Sequence, residues 1–332
     1  MEAPRPTDAE LLVETVALGV CGTDREIVAG EYGWAPPGSD RLVLGHESLG
    51  RVREAPDGDI TPGDLVVGIV RRPDPEPCPC CSRGEFDMCR NGGYRERGIK
   101  ELDGFGAELI TLEPDFAVAL DPALGLLGVL TEPTSVVAKA WEQVDMARVQ
   151  FCRPLERVLV TGAGPIGLLA ALLGVQRGLQ IHVLDRVNAG PKQQLTESLG
   201  ATYHASSVED VCRIAEPEVV VECTGAPEVV VDALLYTAPG AVVSLLGVAP
   251  RGRALTVDAG ALNNELVLEN DLVFGSVNAN RRHFQAAADA LAAADSAWLE
   301  GLITRRVPLD RWEDALQRRP DDIKNVIEFA PA

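Results

Sequence analysis

Four side chains that commonly bind metals stand in three separate stretches, and together they could hold a catalytic zinc ion. Cys21 lies in Val-Cys-Gly-Thr-Asp, His46 and Glu47 lie in Leu-Gly-His-Glu, and Glu132 lies in Thr-Glu-Pro. Zinc takes thiolate, imidazole and carboxylate ligands, and a catalytic site keeps one position for substrate or water. Taken singly, Cys21 is equally explained as a small core residue, and His46 as a turn histidine with satisfied hydrogen bonds.

Half of the eight cysteines lie within twelve residues of one another. They are Cys78, Cys80, Cys81 and Cys89. The chain shows no export signal at its start, so such a cluster favours a metal over disulfides. We expect the four thiolates to hold a structural zinc, which orders a loop and performs no chemistry. Adjacent Cys80 and Cys81 need unusual local geometry, so the alternatives are a carboxylate ligand, Asp74 or Glu76, or a degraded site.

A third constellation is a glycine-rich turn. The segment Val-Leu-Val-Thr-Gly-Ala-Gly-Pro-Ile-Gly, residues 158–167, places G-x-G-x-x-G after a strand and at the start of a helix. This arrangement binds the pyrophosphate of a dinucleotide at the helix N-terminus. Asp185 follows Gly167 by eighteen residues, at the end of the next strand, where a carboxylate binds the ribose hydroxyls. Asp185 favours NAD, whereas the neighbouring Arg186 favours NADP, and dual use is plausible.

The elements around these residues change in character along the chain. The first stretch of about 120 residues consists of short strands between Gly and Pro turns, which indicates a β-barrel. Beyond it, strands alternate with helices, which is typical of a parallel sheet covered by helices on both faces. The uncharged run from Val158 to Gln176 contains the glycine turn, so we interpret it as a strand, a turn and a buried helix, not a membrane span.

Composition limits the possible partners. The chain has 332 residues, which at about 150 residues per domain suggests two domains. Apolar residues make up 46% and charged residues 24%, as in ordinary globular proteins. A net charge of −20 disfavours nucleic acid and anionic membranes as partners. It argues against a zinc-ribbon nucleic-acid binder, and we expect a cytoplasmic protein.

The order of these motifs resembles the zinc-dependent medium-chain alcohol dehydrogenase family over nearly the whole chain. More narrowly, five stretches are similar to the archaeal-type glucose dehydrogenase branch of that family. They are Val-Arg-Arg-Pro at 70–73, Gly-Glu-Phe-Asp-Met-Cys at 84–89, Glu-Arg-Gly-Ile at 96–99, Glu-Pro at 132–133 and Gly-Ser-Val-Asn at 275–278. That branch oxidises the C1 hydroxyl of an aldose to a lactone with NAD or NADP, and its members are dimers or tetramers.

The resemblance implies a role for each matching residue of the zinc site. Cys21, His46 and Glu132 would surround the catalytic zinc, and Glu47 would be a ligand or near-ligand that exchanges with water. Thr23 would be the first acceptor of the substrate's proton. In the cysteine segment, the family's spacing C-x2-C-x2-C-x7-C puts its first position on Pro75, which cannot bind metal.

Sugar and cofactor contacts also follow from the resemblance. Glu96, Glu132 and Asn278 would contact sugar hydroxyls, although Glu96 in a surface salt bridge and Asn278 in a turn are equally plausible. The predicted cofactor-binding residues are Gly162, Gly164, Pro165, Ile166, Gly167, Asp185, Arg186, Thr224 and Asn278. Trp34 is either a stacking platform for a ring or a packing aromatic. Cys152, Cys212 and Cys223 are expected to be small buried residues.

The sequence therefore predicts an α/β protein with a GroES-like β-barrel catalytic domain and a Rossmann doubly wound parallel-sheet cofactor domain. We expect the catalytic domain at residues 1–150, with a zinc lobe at 71–100, the cofactor domain at 151–278 and a C-terminal return segment at 279–332. The predicted activity is zinc- and NAD(P)-dependent oxidation of a sugar, polyol or cyclitol by a homodimer or homotetramer. A zinc-free reductase of the same superfamily and a non-catalytic cofactor-binding protein are the alternatives.

Overall fold

The computed structural model describes residues 4–151, 155–249, 252 and 254–329, apart from the side chains of residues 150 and 151. The chain forms two compact units. The first comprises Met1–Ser135 with Asn278–Ala332, and the second comprises Val136–Val277. The sequence placed the first boundary at residue 150. The two compact units divide after Ser135, inside a helix that continues to Phe151, and the boundary at residue 150 stays a prediction.

The described residues contain sixteen strands. In chain order they are β1 (Leu11–Val20), β2 (Glu47–Glu54), β3 (Leu65–Gly68), β4 (Arg71–Arg72), β5 (Arg95–Arg97), β6 (Glu101–Leu102), β7 (Leu109–Leu112), β8 (Ala117–Ala119), β9 (Arg157–Thr161), β10 (Gln180–Leu184), β11 (Thr202–His204), β12 (Val219–Glu222), β13 (Val242–Leu245), β14 (Leu272–Gly275), β15 (Ile303–Pro308) and β16 (Lys324–Glu328).

The same part of the chain contains ten α-helices. They are α1 (Gly22–Val28), α2 (Thr131–Phe151), α3 (Pro165–Gln176), α4 (Pro191–Ser198), α5 (Val208–Ala215), α6 (Pro227–Leu235), α7 (Ala259–Leu268), α8 (Arg281–Ala292), α9 (Ser296–Leu302) and α10 (Trp312–Leu316). No helix among the described residues combines the length and the apolar character that a membrane span requires.

The first unit is built on a seven-stranded sheet in the order β15-β16-β1-β2-β3-β8, with β7 also paired to β1. Strand β1 is the centre of this sheet, and its apolar side chains pack with Phe105 and Ile327 in one core. Antiparallel pairing sets Gly19 opposite both Glu47 and Val326. The first residues of β2 and β16 therefore flank the last residues of β1, directly before Cys21.

A small three-stranded sheet, β4-β5-β6, belongs to the same unit. Strand β4 pairs antiparallel with β5, so that Arg71 lies opposite Glu96 and Arg72 lies opposite Arg95. Because successive side chains of a strand point to opposite faces, Arg71 and Glu96 share one face while Arg72 and Arg95 share the other. Two adjacent arginines thus have different surroundings.

The second unit contains a six-stranded parallel sheet in the order β11-β10-β9-β12-β13-β14. The strand order changes direction at β9, since β10 lies on one side of it and β12 on the other. This topology confirms the predicted doubly wound sheet, and a ligand binds such a sheet at the carboxyl ends of the strands beside the reversal. The uncharged run indeed divides into β9, a turn and α3.

Sequence patterns located most elements of the second unit to within two residues and missed others. The sequence pattern predicts a strand at 180–184 and a helix at 227–235, and β10 and α6 have these same bounds. Helix α7 was missed because it has no buried residue and hence no apolar face to produce a helical pattern. Strand β11 was missed because it is a three-residue edge strand, too short for a detectable alternation.

Candidate active site

Cys21 occupies the junction between β1 and α1, where it is the N-cap of the helix. Its Sγ accepts a hydrogen bond from the Thr23 amide at 3.2 Å. Its own amide donates to Oδ2 of Asp24 at 2.8 Å, which completes a capping box. The short helix therefore fixes the position of the sulfur and holds the Asp24 carboxylate against the same turn.

His46 lies between Cys21 and Asp24 and is buried. Its Nε2 is 3.1 Å from Cys21 Sγ, and its Nδ1 is 3.4 Å from Asp24 Oδ1. Burial alone would lower the pKa of His46, but the charges of Asp24 and Cys21 raise it well above the usual value. A carboxylate on Nδ1 keeps the proton there and leaves Nε2 to a metal, which is how metal-binding histidines are usually oriented.

Glu47 forms a buried ion pair with Lys324, the first residue of β16. The Glu47 residue is 2% exposed and Lys324 is 1% exposed. The Lys324 ammonium also donates to the Val20 carbonyl at 3.3 Å. Gly19 makes room for the pair, since a Cβ at this position would lie 2.0 Å from Glu47 Oε2. Both charges are thereby held beside the Cys21–His46 contact.

Glu132, at the first turn of α2, faces the same cluster. Burial, with a contribution from the Glu47 carboxylate, raises the pKa of Glu132 to about 7 against the attraction of His46. The potential ligand atoms of His46, Glu47 and Glu132 lie within 4.8 Å of one another. Those of Cys21, Asp24 and His46 form a second such group, so His46 is common to both.

This donor set fits a catalytic zinc. It offers one thiol, one imidazole and carboxylates, the mixture that zinc accepts when one coordination position is kept for substrate. The ligand atoms of Cys21 and Glu132 belong to different groups, and His46 is the member that the two groups share. The structure therefore brings together all four predicted metal ligands, and it adds Asp24 and Lys324, which the sequence analysis did not identify. Thr23 is half-buried and next to Cys21 in this cluster.

The cysteine segment brings three of its four predicted ligands together. Cys78, Cys81 and Cys89 form one group of mutually close sulfurs, and the sulfurs of Cys78 and Cys81 are 3.7 Å apart. Two thiolates on a tetrahedral zinc are separated by about 3.8 Å. Cys80 is not part of this group. It is the N-cap of the 3₁₀ turn that Cys81 begins, and successive residues of such a turn point about 120° apart.

A carboxylate also approaches this segment. Asp74 is buried, and its Oδ1 accepts a hydrogen bond from the Glu76 amide at 2.9 Å. The amides of Arg90 and Cys81 donate to the Cys78 sulfur at 3.4 and 3.5 Å. Led by the Arg90 bond, these contacts lower the pKa of Cys78 to about 6. These bonds favour the thiolate form of Cys78, and the fourth ligand of the site stays open between Cys80 and a carboxylate.

Glu96 and Asn278, two of the three predicted sugar contacts, lie together in the first unit. Asn278 Nδ2 donates to Glu96 Oε1 at 2.7 Å. The same oxygen accepts from Nε and Nη2 of Arg71 at 3.1 and 2.9 Å. Asn278 has a φ of 61°, a backbone conformation that asparagine tolerates better than most residues. Asn278 belongs to the other unit from the remaining predicted cofactor contacts.

In the second unit, the glycine turn has the geometry that a pyrophosphate site requires. Gly162 has a φ of 90°, and a Cβ on Gly167 would lie 1.7 Å from the Gly162 carbonyl oxygen. A Cβ on Gly164, the N-cap of α3, would meet nothing within 4 Å. Glycine at 162 permits the turn and at 167 permits the close packing of helix on strand. Pro165 and Ile166 open the helix, whose N-terminal amides are available to a phosphate.

Asp185 is bound to this turn. Its Oδ2 accepts from the Ala163 amide at 2.8 Å and from Lys192 Nζ at 3.0 Å, while its Oδ1 accepts from the Val187 amide at 3.2 Å. Burial would raise the pKa of Asp185, but Lys192 and the amides outweigh it and lower the pKa. The carboxylate is therefore ionised beside the turn, and Arg186 is exposed.

Thr224 lies on the opposite side of the turn, where its methyl group leaves no room for a side chain at position 162. Its amide donates to Oε1 of Glu222 at 2.7 Å, and its hydroxyl bonds the same oxygen. Glu222 is fully buried and also accepts from the Gly225 amide at 3.2 Å. Sequence analysis missed Glu222, because a charged residue at the end of an apolar strand carries no signal of burial.

The other candidate residues have simpler surroundings. Trp34 is half exposed, and its ring meets that of Tyr32 edge-on with centroids 5.1 Å apart. Cys212 is buried as predicted, whereas Cys223 is only partly buried. Cys152 lies outside the described residues.

Comparison with known proteins places these sites in a family. Residues 7–122 match the family described as alcohol dehydrogenase GroES-like domain, and residues 125–329 match glucose dehydrogenase C-terminus. Glucose 1-dehydrogenase of Methanocella arvoryzae is 37% identical over 99% of this chain and 94% of that protein. Glucose 1-dehydrogenase of Thermoproteus tenax is 41% identical over 98% of this chain and 93% of that protein.

Solved structures give a consistent result. Haloferax mediterranei glucose dehydrogenase, in a complex with NADP, Zn and gluconolactone, superimposes with a TM-score of 0.93 at 36% identity. That comparison covers all of this chain and 95% of the other. Galactitol-1-phosphate dehydrogenase from Escherichia coli, at 24% identity with a TM-score of 0.82, shares the fold.

Proposed function

Because this chain belongs to the zinc-dependent medium-chain alcohol dehydrogenase family, in its glucose dehydrogenase branch, we propose that it oxidises the C1 hydroxyl of a glucose-like aldose by hydride transfer to NAD(P). The observation that carries the proposal is the placement of His46 between the Cys21 sulfur at 3.1 Å and the Asp24 carboxylate at 3.4 Å. An imidazole held in this way presents one nitrogen to a metal and keeps its proton on the other.

The chain's own residues bind and orient the reacting groups. Cys21, His46 and Glu132 would hold the zinc, with Glu47 in reserve as an exchangeable ligand. Zinc, when bound, supplies a Lewis acid that lowers the pKa of a hydroxyl and stabilises negative charge on its oxygen. Thr23, half-buried beside Cys21, would accept the substrate's proton first. Glu96 and Asn278 would orient the sugar through its other hydroxyls.

The second unit would bind the cofactor. The nicotinamide of NAD(P) accepts the hydride, and the protein's task is to position it. The turn at Gly162–Gly167 and the N-terminal amides of α3 would hold the pyrophosphate, and Asp185 would hold the adenosine ribose. Lys192 bridges to Asp185 at 3.0 Å and partly neutralises it, which supports use of both NAD and NADP, with Arg186 beside them for a 2′-phosphate.

Initial rates with a panel of aldoses, polyols and cyclitols, each with NAD and with NADP, test this function. Absorbance at 340 nm should rise with glucose or a close epimer, and glucose with its C1 hydroxyl methylated should give no rise. A protein that binds NADPH but oxidises nothing in the panel would be a non-catalytic cofactor-binding protein. Full activity in metal-free protein would identify a zinc-free reductase.

We also propose a homo-oligomer formed through the second unit. Helix α7 has no buried residue, and its Val267 and Leu268 are 63% and 71% exposed. Strand β14 is paired on one side only among the described strands, so its other edge is open to a second copy. Light scattering of the wild type and of Leu268→Glu tests this assembly, since a charge on the interface should yield monomers.

We propose a cytoplasmic location as well. Its support is that all seven cysteines in the described part of the chain are free of disulfides, as expected in a reducing compartment. Cell fractionation tests the location directly.

A further inference from the structure

Arg71 joins Glu96, a predicted sugar contact that Asn278 also binds, to the cysteine lobe, which we define here as residues 78–89. Its guanidinium donates twice to Glu96 Oε1, at 3.1 and 2.9 Å, and Nη1 donates to the Asp87 carbonyl at 2.9 Å. Arg71 is only 5% exposed, and its guanidinium lies 3.8 Å from the centre of the Tyr94 ring. The three hydrogen bonds hold the planar guanidinium from two sides, by Glu96 and by Asp87, and leave the side chain little freedom to reorient.

A second connection runs from the lobe to the segment that carries Asn278. Nδ2 of Asn280 donates to Asp87 Oδ1 at 2.9 Å and to Glu85 Oε2 at 3.1 Å. Arg282 reinforces this contact with bonds of 2.8 Å to both oxygens of Glu85. Asn280 is itself buried as the N-cap of α8. The lobe therefore contacts Arg71, which binds Glu96, and Asn280, which lies two residues after Asn278.

We propose that Arg71 is a positioning residue for sugar binding, and that the ordered cysteine lobe acts through Arg71 and Asn280 to set the distance between Glu96 and Asn278. This inference rests on the proposed function, because it assigns Glu96 and Asn278 to the sugar hydroxyls. It gives the lobe a role in substrate affinity beyond keeping its own loop ordered.

The buried charge of Glu96 explains why position 71 requires an arginine. Glu96 is a carboxylate at 6% exposure, and a buried carboxylate is costly without a charged partner. The Arg71 fork supplies that partner and still leaves a donor for the lobe. A lysine would supply the charge as a single point and could not make the three bonds in the same geometry.

The neighbouring Arg72 provides a matched control. It is 4% exposed and pairs with Glu113 at 2.9 Å, but it lies on the opposite face of the small sheet and makes no contact with the predicted sugar residues. Replacing either arginine by methionine removes one buried guanidinium and one ion pair from adjacent positions. Both variants therefore share the loss of a buried guanidinium, but only Arg71→Met also leaves a buried carboxylate unpaired, since the Glu113 side chain is 45% exposed.

The experiment measures kcat and KM for the best sugar of the panel, the inhibition constant of gluconolactone and the dissociation constant of NADPH. In Arg71→Met, KM and the gluconolactone constant should rise about 10- to 100-fold, since displaced binding groups lose affinity steeply. The NADPH constant should not change. Arg72→Met should leave both sugar constants at the wild-type value, and Arg71→Lys should give intermediate values.

Each result decides the question. Equal sugar constants in Arg71→Met and Arg72→Met would overturn the inference, and so would a loss in kcat without any change in KM. If either methionine variant fails to fold, Arg71→Lys and Arg72→Lys are compared by the same criterion. A wild type that oxidises no sugar would instead refute the proposed function, so the two failures are distinguishable.

Discussion

The first unit holds two thiol-containing sites that differ in what surrounds their sulfurs. The Cys21 sulfur accepts one amide bond, from Thr23, and contacts His46, which lies among the ionisable side chains of Asp24 and the Glu47–Lys324 pair. In the cysteine lobe, the Cys78 sulfur is instead surrounded by backbone amides, those of Arg90 and Cys81. One site is built from charges brought together from distant strands, and the other from a single local loop.

The difference separates chemistry from architecture. Buried charges respond to a change of charge on a bound substrate, but they cost stability and depend on every partner being present. Backbone amides around a thiolate remain when side chains are substituted, and they stabilise the negative charge of that sulfur alone. A site that must change its charge in each turnover needs the first arrangement, and a site that only orders a loop needs the second.

The largest effect on stability is expected at Lys324. Lys324→Met leaves the Glu47 carboxylate buried without its partner, which should lower the free energy of unfolding by about 3–5 kcal/mol. Urea unfolding of the metal-free protein measures this loss. Arg53→Met is the control, because its ion pair with Glu14 has side chains 54% and 30% exposed and is thus solvated. A loss no greater than that of the control would refute the importance of the buried pair.

A smaller effect is expected at Asp24. Asp24→Asn keeps the shape of the side chain but removes the charge that faces His46 Nδ1, so zinc affinity should fall about 10- to 100-fold. Competition with a fluorescent zinc chelator measures the affinity. Asp295→Asn, which changes another aspartate bonded to helix amides in the same unit, should bind zinc like the wild type. Unchanged affinity in Asp24→Asn would mean that His46 does not depend on its carboxylate partner.

The smallest effect on turnover is expected in the lobe. Cys81→Ser removes one of three clustered sulfurs, so it should lower the melting temperature and release the lobe's metal, with kcat nearly unchanged. Sugar KM should rise, because the lobe positions Glu96 through Arg71. Calorimetry and initial rates measure the two effects. A fall in kcat as large as that caused by loss of His46 would show that the lobe takes part in the reaction.

Local signals made some of these features predictable. The turn at Gly162–Gly167 and the predicted ribose contact Asp185 lie in one strand–turn–helix–strand segment, so spacing alone predicted that they meet, as they do through the Ala163 amide. The four predicted metal ligands of the first site come from three stretches, and only their order along the chain, which resembles that of the family, indicated that they belong together. Each ligand considered alone had an ordinary structural explanation.

Other features had no signal in the sequence. Lys324 meets Glu47 only because β16 and β2 pair on either side of β1, and no local pattern marks such a contact between distant strands. The space for this pair depends on Gly19, which reads as one more glycine in a strand. Spacing counted Cys80 with the other thiols, but the 3₁₀ turn points adjacent side chains in different directions and leaves Cys80 outside the group of close sulfurs, so its role as a ligand stays a prediction.

The most direct test of the catalytic zinc site is the zinc content of the purified protein, measured by mass spectrometry together with its rate of sugar oxidation. Wild type should hold two zinc ions per chain. His46→Ala should lose one ion and at least about 10³-fold in turnover, the loss expected when several kcal/mol of Lewis-acid stabilisation disappear, while NADPH binding stays at the wild-type level. A His46→Ala protein that oxidises sugar at the wild-type rate would contradict the account.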